Sequence, residues 1–471
     1  MTEAHGLAEL AASGAAIHLM GIGGAGMAGL ALLLAARGAT VSGCDRECNE
    51  TTRDLERRGM TVYLGHDPDH ASGQAALVHT AAVPADHPEL DVARARGRPV
   101  MKRSEALAGL VNTGTLIAIA GTHGKTTTSA LTAMALESAG VDPTALVGGR
   151  VPAWGGNARI GGTTYVVEAD EYDRSFLSLW PKLVVVTSVE AEHLDTYASY
   201  GELEMAFDEF VSRVPDDGRV IACADDAGAR RRLRAAGHRA LPYGIGDDAV
   251  LRAGSISCEP DRTTFEASLD GRSLGEFELA LLGMHNVRNA LAVLGVMVAL
   301  GLAPQAAARA LAGFGGVERR FQTLGDAGGV TVVDDYAHHP TEVAAALEMA
   351  RQAFAGRRLV VAFQPHLYSR TQAFAGEFGE TLAGADLVLV TEVYAAREAP
   401  VPGVSARLVA DAARRFLDPS LVRYAESLED LTAELCDLLE DGDVLLTLGA
   451  GDIASAAHAV LDHLGRSHVD A

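Results

Sequence analysis

The stretch GTHGKTTT (121–128) lies between an apolar run, TLIAIA (115–120), and an Ala/Leu-rich run that predicts a helix ending near Ala139. A glycine-rich turn between a buried strand and a helix is typical of a phosphate-binding loop, because its main-chain amides point at the anion. Lys125 would neutralise the β- and γ-phosphates, and the Thr126 hydroxyl would bind Mg²⁺. The residues expected around a nucleoside triphosphate are Gly121, Thr122, His123, Gly124, Lys125, Thr126 and Thr127.

The spacing of this loop departs from G-x-x-x-x-G-K-[ST], because Ile119 takes the place of the first glycine. The alternative interpretation is a glycine-rich turn with a chance lysine. Lysine is scarce, however, since Lys102, Lys125 and Lys182 are the only three in the sequence. A lysine at the one position where phosphate chemistry needs it favours the phosphate loop.

Length and charge narrow the class of protein. A chain of 471 residues has room for about three domains. Its 48% hydrophobic and 21% charged residues indicate a globular protein, and its net charge of −23 opposes binding to nucleic acid or to anionic membranes. We therefore expect small-molecule partners, no nucleic acid and no membrane insertion, on a monomer or a homodimer.

The five cysteines show no C-x-x-C spacing, so the sequence indicates neither a disulfide framework nor a zinc ribbon. Cys44 and Cys48 are close together, so a metal or redox role is the alternative, but they are interpreted as small hydrophobic residues. This cysteine usage predicts a reducing, cytoplasmic location. The uncharged run 17–36 is long enough to span a bilayer, but its five glycines favour a strand, a turn and a helix instead.

A second glycine cluster, GIGGAG (21–26), fits G-x-G-x-x-G between a predicted strand and a helix over 27–37. Asp45 follows at the end of the next predicted strand, as in dinucleotide-binding folds. The pattern predicts diphosphate binding and leaves open both a nicotinamide dinucleotide and a UDP-sugar. The residues expected there are Gly21, Gly23, Gly24, Ala25, Gly26, Met27 and Asp45.

Alternating short apolar and longer Ala/Leu-rich runs predict an α/β protein with three doubly wound domains. The predicted domains are a Rossmann-like one at 1–112, a central phosphate-loop (P-loop) domain at 113–317 and a Rossmann-like carboxy-terminal one at 318–471. Ligands of such sheets collect at the carboxyl ends of the strands. Two acidic clusters, EADEYD (168–173) and EAEHLD (190–195), fall at predicted strand ends and predict a Mg²⁺ site that includes Glu168 and His193.

Other polar groups carry more than one interpretation. His285, Asn286 and Asn289 would contact an adenine edge or cap a helix. The segment DDYAHH (334–339) would bind a metal or lie in an active-site loop facing a cleft. Arginines 319, 320 and 370, with His366, could supply positive charge to a phosphate, although each arginine alone would more often be a surface charge.

Taken together, these motifs resemble those of the Mur ligase family along the whole chain. The matching segments are GIGGAGMAGLA (21–31), GTHGKTTT, EADEYDRSF (168–176), EAEHLDTY (190–197), GMHNVRNALA (283–292), RRFQ (319–322), DDYAHHPTEV (334–343), QPHLYSRT (364–371) and GAGDI (449–453). HLMGIGGAGM (18–27) and DDYAHHPTEV resemble the branch that adds L-alanine more than the branches that add D-glutamate, a diamino acid or D-Ala-D-Ala.

The resemblance implies roles for single residues. Lys125 and Thr126 would hold the γ-phosphate and one Mg²⁺, with Glu168 and His193 on a second Mg²⁺. Adenosine would meet His285, Asn286 and Asn289, and the carboxy-terminal domain would reach ATP through Arg320, Asp335 and Tyr336. Asn157, Asp170 and His338 would lie near the muramate or the alanine. His338 is also a candidate base, so the implied catalytic residues are Lys125, His193 and His338.

The resemblance also implies the reaction. ATP would activate the lactyl carboxylate of UDP-N-acetylmuramate as an acyl phosphate, which L-alanine then attacks, in peptidoglycan precursor synthesis. Three alternatives stay open: a recycling ligase that adds a preformed tripeptide, a nicotinamide-dependent oxidoreductase and a catalytically silent nucleotide sensor. The sequence departs from the family at Ser188, where Asn is usual, at Glu192, where Asp is usual, and at Leu367, where Arg is common.

Overall fold

The computed structural model describes residues 3–191, 196–197, 199–396 and 398–467. This part of the chain forms two compact units. The first contains the chain up to Ile256 together with Thr264–Leu279 and Asn286–Gly315. The second contains Ser257–Thr263, Ala280–His285 and the chain from Gly316 onward.

The strands are short and mostly buried. They are β1 Ala16–Met20, β2 Thr40–Asp45, β3 Thr61–Leu64, β4 Ala76–His79, β5 Val100–Lys102, β6 Thr115–Ala120, β7 Pro143–Val151, β8 Gly156–Arg159, β9 Thr164–Ala169, β10 Leu183–Val186, β11 Arg219–Cys223, β12 Ala240–Gly244, β13 Leu251–Cys258, β14 Thr263–Leu269, β15 Arg272–Leu279, β16 Gln322–Ala327, β17 Val330–Asp335, β18 Leu359–Phe363, β19 Leu387–Val390, β20 Val422–Tyr424 and β21 Val444–Leu448.

The helices alternate with the strands along most of the chain. They are α1 Glu3–Ala12, α2 Ala25–Ala36, α3 Glu50–Arg57, α4 Pro88–Ala95, α5 Arg103–Val111, α6 Lys125–Ser138, α7 Tyr200–Ser212, α8 Ala227–Ala236, α9 Met284–Ala299, α10 Ala308–Ala312, α11 Pro340–Ala353, α12 Tyr368–Leu382, α13 Arg407–Ala413, α14 Leu428–Leu438 and α15 Ala454–Ser467.

The first sheet has the order β3-β2-β1-β4-β5, and all its strands are parallel. The glycine-rich turn joins its central strand β1 to α2, as predicted. The helix begins at Ala25, two residues earlier than the predicted Met27, because Gly24 is still extended (φ −74°, ψ 141°) and serves as its N-cap. Gly38 (φ 106°) follows the end of the helix, where the left-handed backbone region favours glycine.

The second sheet has the order β15-β14-β13-β12-β11-β10-β6-β9-β7-β8. Its centre is parallel, and β6 lies between β9 and β10 with Ala120 opposite Ala169 on one side and Val186 on the other. The predicted strand ends therefore meet at one edge, beside the start of α6. This edge positions the phosphate loop and the first acidic cluster together.

The third sheet belongs to the second unit and has the order β16-β17-β21-β18-β19-β20. Only β16 is antiparallel to its neighbour β17 among the pairs of this sheet. Two apolar clusters cover its two faces, one around Val333 and Phe363 and the other around Val332 and Leu445. The fold class is therefore confirmed as α/β with three doubly wound sheets, while the boundaries at 112/113 and 317/318 stay a prediction.

The uncharged run 17–36 forms β1, the glycine-rich turn and α2, as the sequence predicts. Among the described residues, none of the helices has the length and apolar character that crossing a bilayer requires.

Candidate active site

The phosphate loop is closely packed against the end of β10. Gly121 has φ 131°, and a Cβ atom there would collide with Thr187 Oγ1. Gly124 has φ 78°, and a Cβ atom there would lie 2.7 Å from Asn289 Oδ1. Ser188 supports the loop, since its carbonyl accepts from Thr122 N at 2.9 Å and its Oγ accepts from His123 N at 3.1 Å. Glycines are therefore required at 121 and 124, and the departure at Ser188 still holds the loop.

Lys125 is the first residue of α6, and its ammonium group lies inside the loop. Lys125 Nζ donates to Gly121 O at 2.5 Å and to Thr122 O at 3.2 Å. It also lies 3.0 Å from both carboxylate oxygens of Glu171, whose side chain is 1% exposed. The Tyr197 hydroxyl donates to the Glu171 carbonyl at 2.6 Å. Glu171 thus places a negative charge where a bound phosphate group would compete for the same ammonium.

Two of the three predicted magnesium ligands, Glu168 and Thr126, lie at this edge of the sheet. Glu168 is opposite Ile119 in the β6–β9 register, two residues before the loop, and its Oε1 accepts from Gly148 N at 2.6 Å. Thr126 lies in the first turn of α6 and is buried. Both supply oxygen donors, which suit Mg²⁺. His193, the third predicted ligand, and Glu192 lie outside the described residues.

A cavity of about 580 Å³ extends from the glycine-rich turn of the first sheet to the end of β9. Its lining includes every residue predicted to bind the diphosphate sugar: Gly21, Gly23, Gly24, Ala25, Gly26, Met27, Asp45 and Asn157. At its other end lie Glu168 and Asp170. Since Asp170 directly precedes Glu171, the partner of Lys125, the cavity leads from a diphosphate-type turn toward the phosphate loop.

The turn itself is fixed by the neighbouring strand. Gly23 N donates to Asp45 Oδ2 at 2.8 Å, and Gly21 (φ 80°) donates from its N to Cys44 O at 2.8 Å. Asn157 belongs to β8 of the second sheet and contacts this turn. Its Nδ2 donates to Ala25 O, at the start of α2, at 2.6 Å. These contacts bring Asp45 and Asn157 to the turn, as predicted, although 112 residues separate them.

Sequence reasoning missed five polar residues of this cavity: Arg46, Asn49, His66, Thr80 and Arg103. Arg103 begins α5, and its guanidinium lies so close to Gly26 that a Cβ atom there would be 2.9 Å from Arg103 Nη1. It therefore supplies positive charge at the N-terminus of α2. Arg46 was detectable as the residue after Asp45, whereas Arg103 lies 77 residues beyond Gly26 and nothing in the sequence links the two.

In the second unit, Asp335 holds together the loops around the end of β17. Its two carboxylate oxygens accept from Phe321 N at 2.6 Å and Ala337 N at 2.7 Å. Burial raises the pKa of Asp335 to about 6, and the nearby Arg320 opposes that shift. The guanidinium of Arg320 lies 5.3 Å from the centre of the Tyr336 ring. The three residues predicted to reach ATP from this unit therefore form one cluster.

His338 has a defined tautomer in the same unit. Its Nδ1 lies 2.9 Å from Tyr336 O, and because a carbonyl only accepts, Nδ1 is the protonated nitrogen. The Nε2 lone pair of the neutral ring is then the basic position, as a general base requires. His339, by contrast, caps α11 by accepting from Thr341 N. Arg370 Nη1 lies 3.0 Å from His366 Nδ1, which joins those two predicted cationic residues.

The two asparagines of α9 are not helix caps, since the helix begins at Met284. Both are buried, and Asn289 Nδ2 donates to Asn286 Oδ1 at 3.0 Å. Asn289 also lies close to Gly124 of the phosphate loop. The adenine contact of these residues stays a prediction. His285 is the second residue of the same helix.

Comparison with known proteins gives the family. Three profiles match successive parts of the chain: the Mur ligase family catalytic domain at 16–115, the Mur ligase middle domain at 119–297 and the Mur ligase glutamate ligase domain at 319–451. The chain belongs to the Mur ligase family. The family predicted from the motifs is thus confirmed, with the phosphate loop near the start of the middle-domain match.

Relatives of known name cover almost the whole chain. The UDP-N-acetylmuramate–L-alanine ligase of Nitratidesulfovibrio vulgaris is 46% identical over 93% of this chain and 96% of its own length. The ligase of the same name from Kineococcus radiotolerans is 46% identical over 95% of this chain and 96% of its own length. Over almost its whole length, this Mur ligase is therefore similar to proteins that share the name UDP-N-acetylmuramate–L-alanine ligase.

Solved structures agree with the sequence relatives. The UDP-N-acetylmuramate-alanine ligase MurC of Thermotoga maritima is 28% identical, has a TM-score of 0.82 and matches 97% of this chain and all of that one. The murein peptide ligase of Psychrobacter arcticus is 25% identical and has a TM-score of 0.71. The match covers 96% of this chain and 99% of that one. The structural likeness is greater to the alanine ligase than to the peptide ligase.

Leu367 marks the remaining described departure of this Mur ligase from its family. It precedes α12 with φ 68°, an unusual conformation for a branched side chain, and is buried. The side chain thus fills an apolar position and supplies no charge at the end of β18. Any cation needed there must come from a neighbour such as Arg370, which is also buried.

Proposed function

We infer that this Mur ligase joins L-alanine to the lactyl carboxylate of UDP-N-acetylmuramate at the expense of ATP, in peptidoglycan precursor synthesis. The shared name of its full-length relatives supports this function over the tripeptide-recycling ligase, the oxidoreductase and the silent sensor. A nicotinamide enzyme would also leave the phosphate loop without a role. All five cysteines are free thiols, which fits the cytoplasmic location that we propose.

The cavity is the structural observation that carries this function. It combines a diphosphate-type turn, cationic Arg103 and, at the far end, carboxylates next to the partner of Lys125. A UDP-sugar bound with its diphosphate at the turn would direct its acyl group toward the phosphate loop. An acid-activating ligase needs this arrangement, because the carboxylate must reach the terminal phosphate of ATP.

The reaction we propose has two steps. A carboxylate oxygen of the muramate attacks the γ-phosphorus, and the bond from that phosphorus to the β,γ-bridging oxygen breaks. ADP departs, and the muramate carries an acyl phosphate. The amine of L-alanine then attacks the acyl carbon, loses a proton and expels inorganic phosphate. Two like-charged groups approach each other in the first step, so Lys125 lowers the barrier by neutralising the phosphate.

The oxygen donors at the loop fit Mg²⁺. Glu168 supplies a carboxylate and Thr126 a hydroxyl at the same sheet edge, and His193 is proposed as a further ligand. Bound there, Mg²⁺ would offset charge on the phosphate oxygens. A second Mg²⁺ remains a proposal that follows from the family resemblance.

Phosphate release tests the function directly. The chain is mixed with MgATP and UDP-N-acetylmuramate, and the acceptor is varied among L-alanine, glycine, L-serine and the tripeptide L-Ala-D-Glu-diaminopimelate. We expect phosphate release and an amide product that are fastest with L-alanine. Faster reaction with the tripeptide would assign the recycling activity instead, and nicotinamide reduction without phosphate release would overturn the ligase.

Arg103→Ala tests the diphosphate end of the cavity. Losing one charge-assisted contact to a diphosphate should raise the KM for UDP-N-acetylmuramate by about 10- to 100-fold. The KM for ATP should stay unchanged, because the phosphate loop is intact. Arg96→Ala, at an exposed site after α4, is the matched control. Equal KM values for the sugar nucleotide in both variants would contradict the assignment.

His338→Gln tests the proposed base. We expect the acyl phosphate to form, because Lys125 and the loop are untouched, while amide formation slows by about 100-fold or more. Trapping the acyl phosphate by borohydride reduction separates the two steps. The exposed His458→Gln is the control. A variant that makes amide at the unaltered rate would exclude His338 as the base.

A further inference from the structure

A second cluster of metal-binding side chains lies in the first sheet, away from the phosphate loop. It consists of His18 on β1, Cys44 on β2, His70 in the turn Pro68–Ala71 and Glu89 in the first turn of α4. One ligand atom from each lies within 4.8 Å of all the others. His18, Cys44 and Glu89 are completely buried.

The distances within the cluster match a tetrahedral zinc site. His18 Nε2 lies 3.4 Å from Cys44 Sγ and 3.7 Å from Glu89 Oε2, and the sulfur lies 3.5 Å from that same oxygen. Zinc bonds of about 2.0 to 2.3 Å at tetrahedral angles require ligand–ligand separations of about 3.3 to 3.8 Å. The three atoms therefore form one face of a tetrahedron of the required size.

His70 supplies the fourth ligand, with a ring nitrogen within 4.8 Å of the ligand atoms of the other three residues. Its Nδ1 lies 3.7 Å from Glu89 Oε1. Within the described part of the chain, this nitrogen is buried and has no hydrogen-bond partner. The ring is held in place by stacking on Tyr63, with centroids 4.2 Å apart and planes at 13°. A buried imidazole nitrogen that has no hydrogen bond, and that lies near a carboxylate and within 4.8 Å of a thiol sulfur, is suited to bind a cation.

The surroundings also favour zinc. His18 Nδ1 lies 2.9 Å from Ser42 Oγ, an outer contact of the kind that orients metal-bound histidines. Thiolate and imidazole together select zinc over Mg²⁺.

We propose that His18, Cys44, His70 and Glu89 bind one zinc ion. The site lies directly against the diphosphate turn, because Cys44 O accepts from the main-chain nitrogens of Gly21 and Ile22. Zinc at Cys44 would therefore fix the strand that supports this turn. His66 lines the substrate cavity, and its Nδ1 lies 3.2 Å from the sulfur and 3.4 Å from Glu89 Oε1. The fourth position is assigned to His70, because its ligand atom lies within 4.8 Å of all three others.

Metal analysis of the full chain tests the site. After expression with zinc and exhaustive dialysis, we expect one equivalent of zinc per chain, lost in Cys44→Ser and retained in Cys223→Ser. Cys223 is the matched control because it is also a buried cysteine in a β-strand. Equal zinc content in the wild type and Cys44→Ser would overturn the proposal, since the metal would then lie elsewhere.

Cobalt gives a readout that does not depend on a variant folding. Chelator-treated wild-type chain titrated with Co²⁺ should gain a near-ultraviolet thiolate-to-cobalt band and the visible bands of tetrahedral cobalt. The phosphate-loop ligands described above hold no sulfur, so cobalt bound there would not give the thiolate band. Its absence from the wild type would overturn the proposal. His66→Ala should retain the band and His70→Ala should lose it, and the reverse would overturn His70 as the fourth ligand.

Discussion

Lys125→Met is expected to abolish ligation, with a fall in kcat of at least about 1000-fold. Two main-chain carbonyls and the Glu171 carboxylate hold the ammonium group inside the loop. Lys125 is the positively charged side chain in these described contacts, so its loss leaves no replacement among them. We expect the loss in the first step, which is measured as ADP formation before amide appears. UDP-N-acetylmuramate should still bind, because its cavity is formed by the turn of the first sheet and Arg103.

The single variant leaves the buried Glu171 carboxylate without this ammonium group. Removing one partner of a buried ion pair lowers the free energy of unfolding by about 3 to 5 kcal/mol. The double variant Lys125→Met/Glu171→Gln removes both charges and should fold while remaining inactive. Lys182→Ala is the control, since that lysine pairs with Asp217 at the surface. A folded double variant with wild-type ADP formation would show that Lys125 does not bind the transferred phosphate.

Glu168→Gln is expected to slow the reaction through the loss of a metal ligand's charge. Glutamine keeps an oxygen that can accept from Gly148 N, so the geometry is retained and only the charge is lost. We expect kcat to fall by about 100-fold or more and the Mg²⁺ concentration for half-maximal rate to rise, because a metal ligand has lost its charge. The measurement is a magnesium titration at saturating ATP.

Glu209→Gln provides the control for the loss of one carboxylate. Glu209 is exposed on α7 and pairs only weakly with Arg213, one helical turn away. Its magnesium dependence should equal that of the wild type. An unchanged magnesium dependence in Glu168→Gln would exclude Glu168 as a metal ligand.

The sequence predicted the parts of the site that depend on local geometry. Glycines between a strand and a helix indicate phosphate contacts because their backbone conformation is itself the function, and Gly121 and Gly124 both have positive φ. Asp45 was predictable because the end of β2 must lie beside the end of β1 in a parallel sheet. The same logic placed Glu168 next to the phosphate loop.

Contacts between elements far apart in sequence were not predictable in this way. Glu171 was one acid within a predicted magnesium cluster, and only the structure pairs it with Lys125. Arg103 meets Gly26 because α5 packs near α2, which no local pattern indicates.

The proposed zinc ligands show the same limit most clearly. His18, Cys44, His70 and Glu89 are separated by 26, 26 and 19 residues, so they carry none of the close spacings by which metal sites are recognised. Cys44 was therefore interpreted as a small hydrophobic residue, and it does pack beside Met20, Leu77 and Leu90. Its other neighbours are brought to it by the fold alone.

A crystal structure of the full chain with a non-hydrolysable ATP analogue and Mg²⁺ tests the phosphate loop most directly. We expect Lys125 Nζ to leave Glu171 and to lie about 2.8 Å from a γ-phosphate oxygen, with the phosphates over Gly121–Thr127. A triphosphate bound at the glycine-rich turn of the first sheet, with the Lys125–Glu171 pair intact, would contradict this assignment.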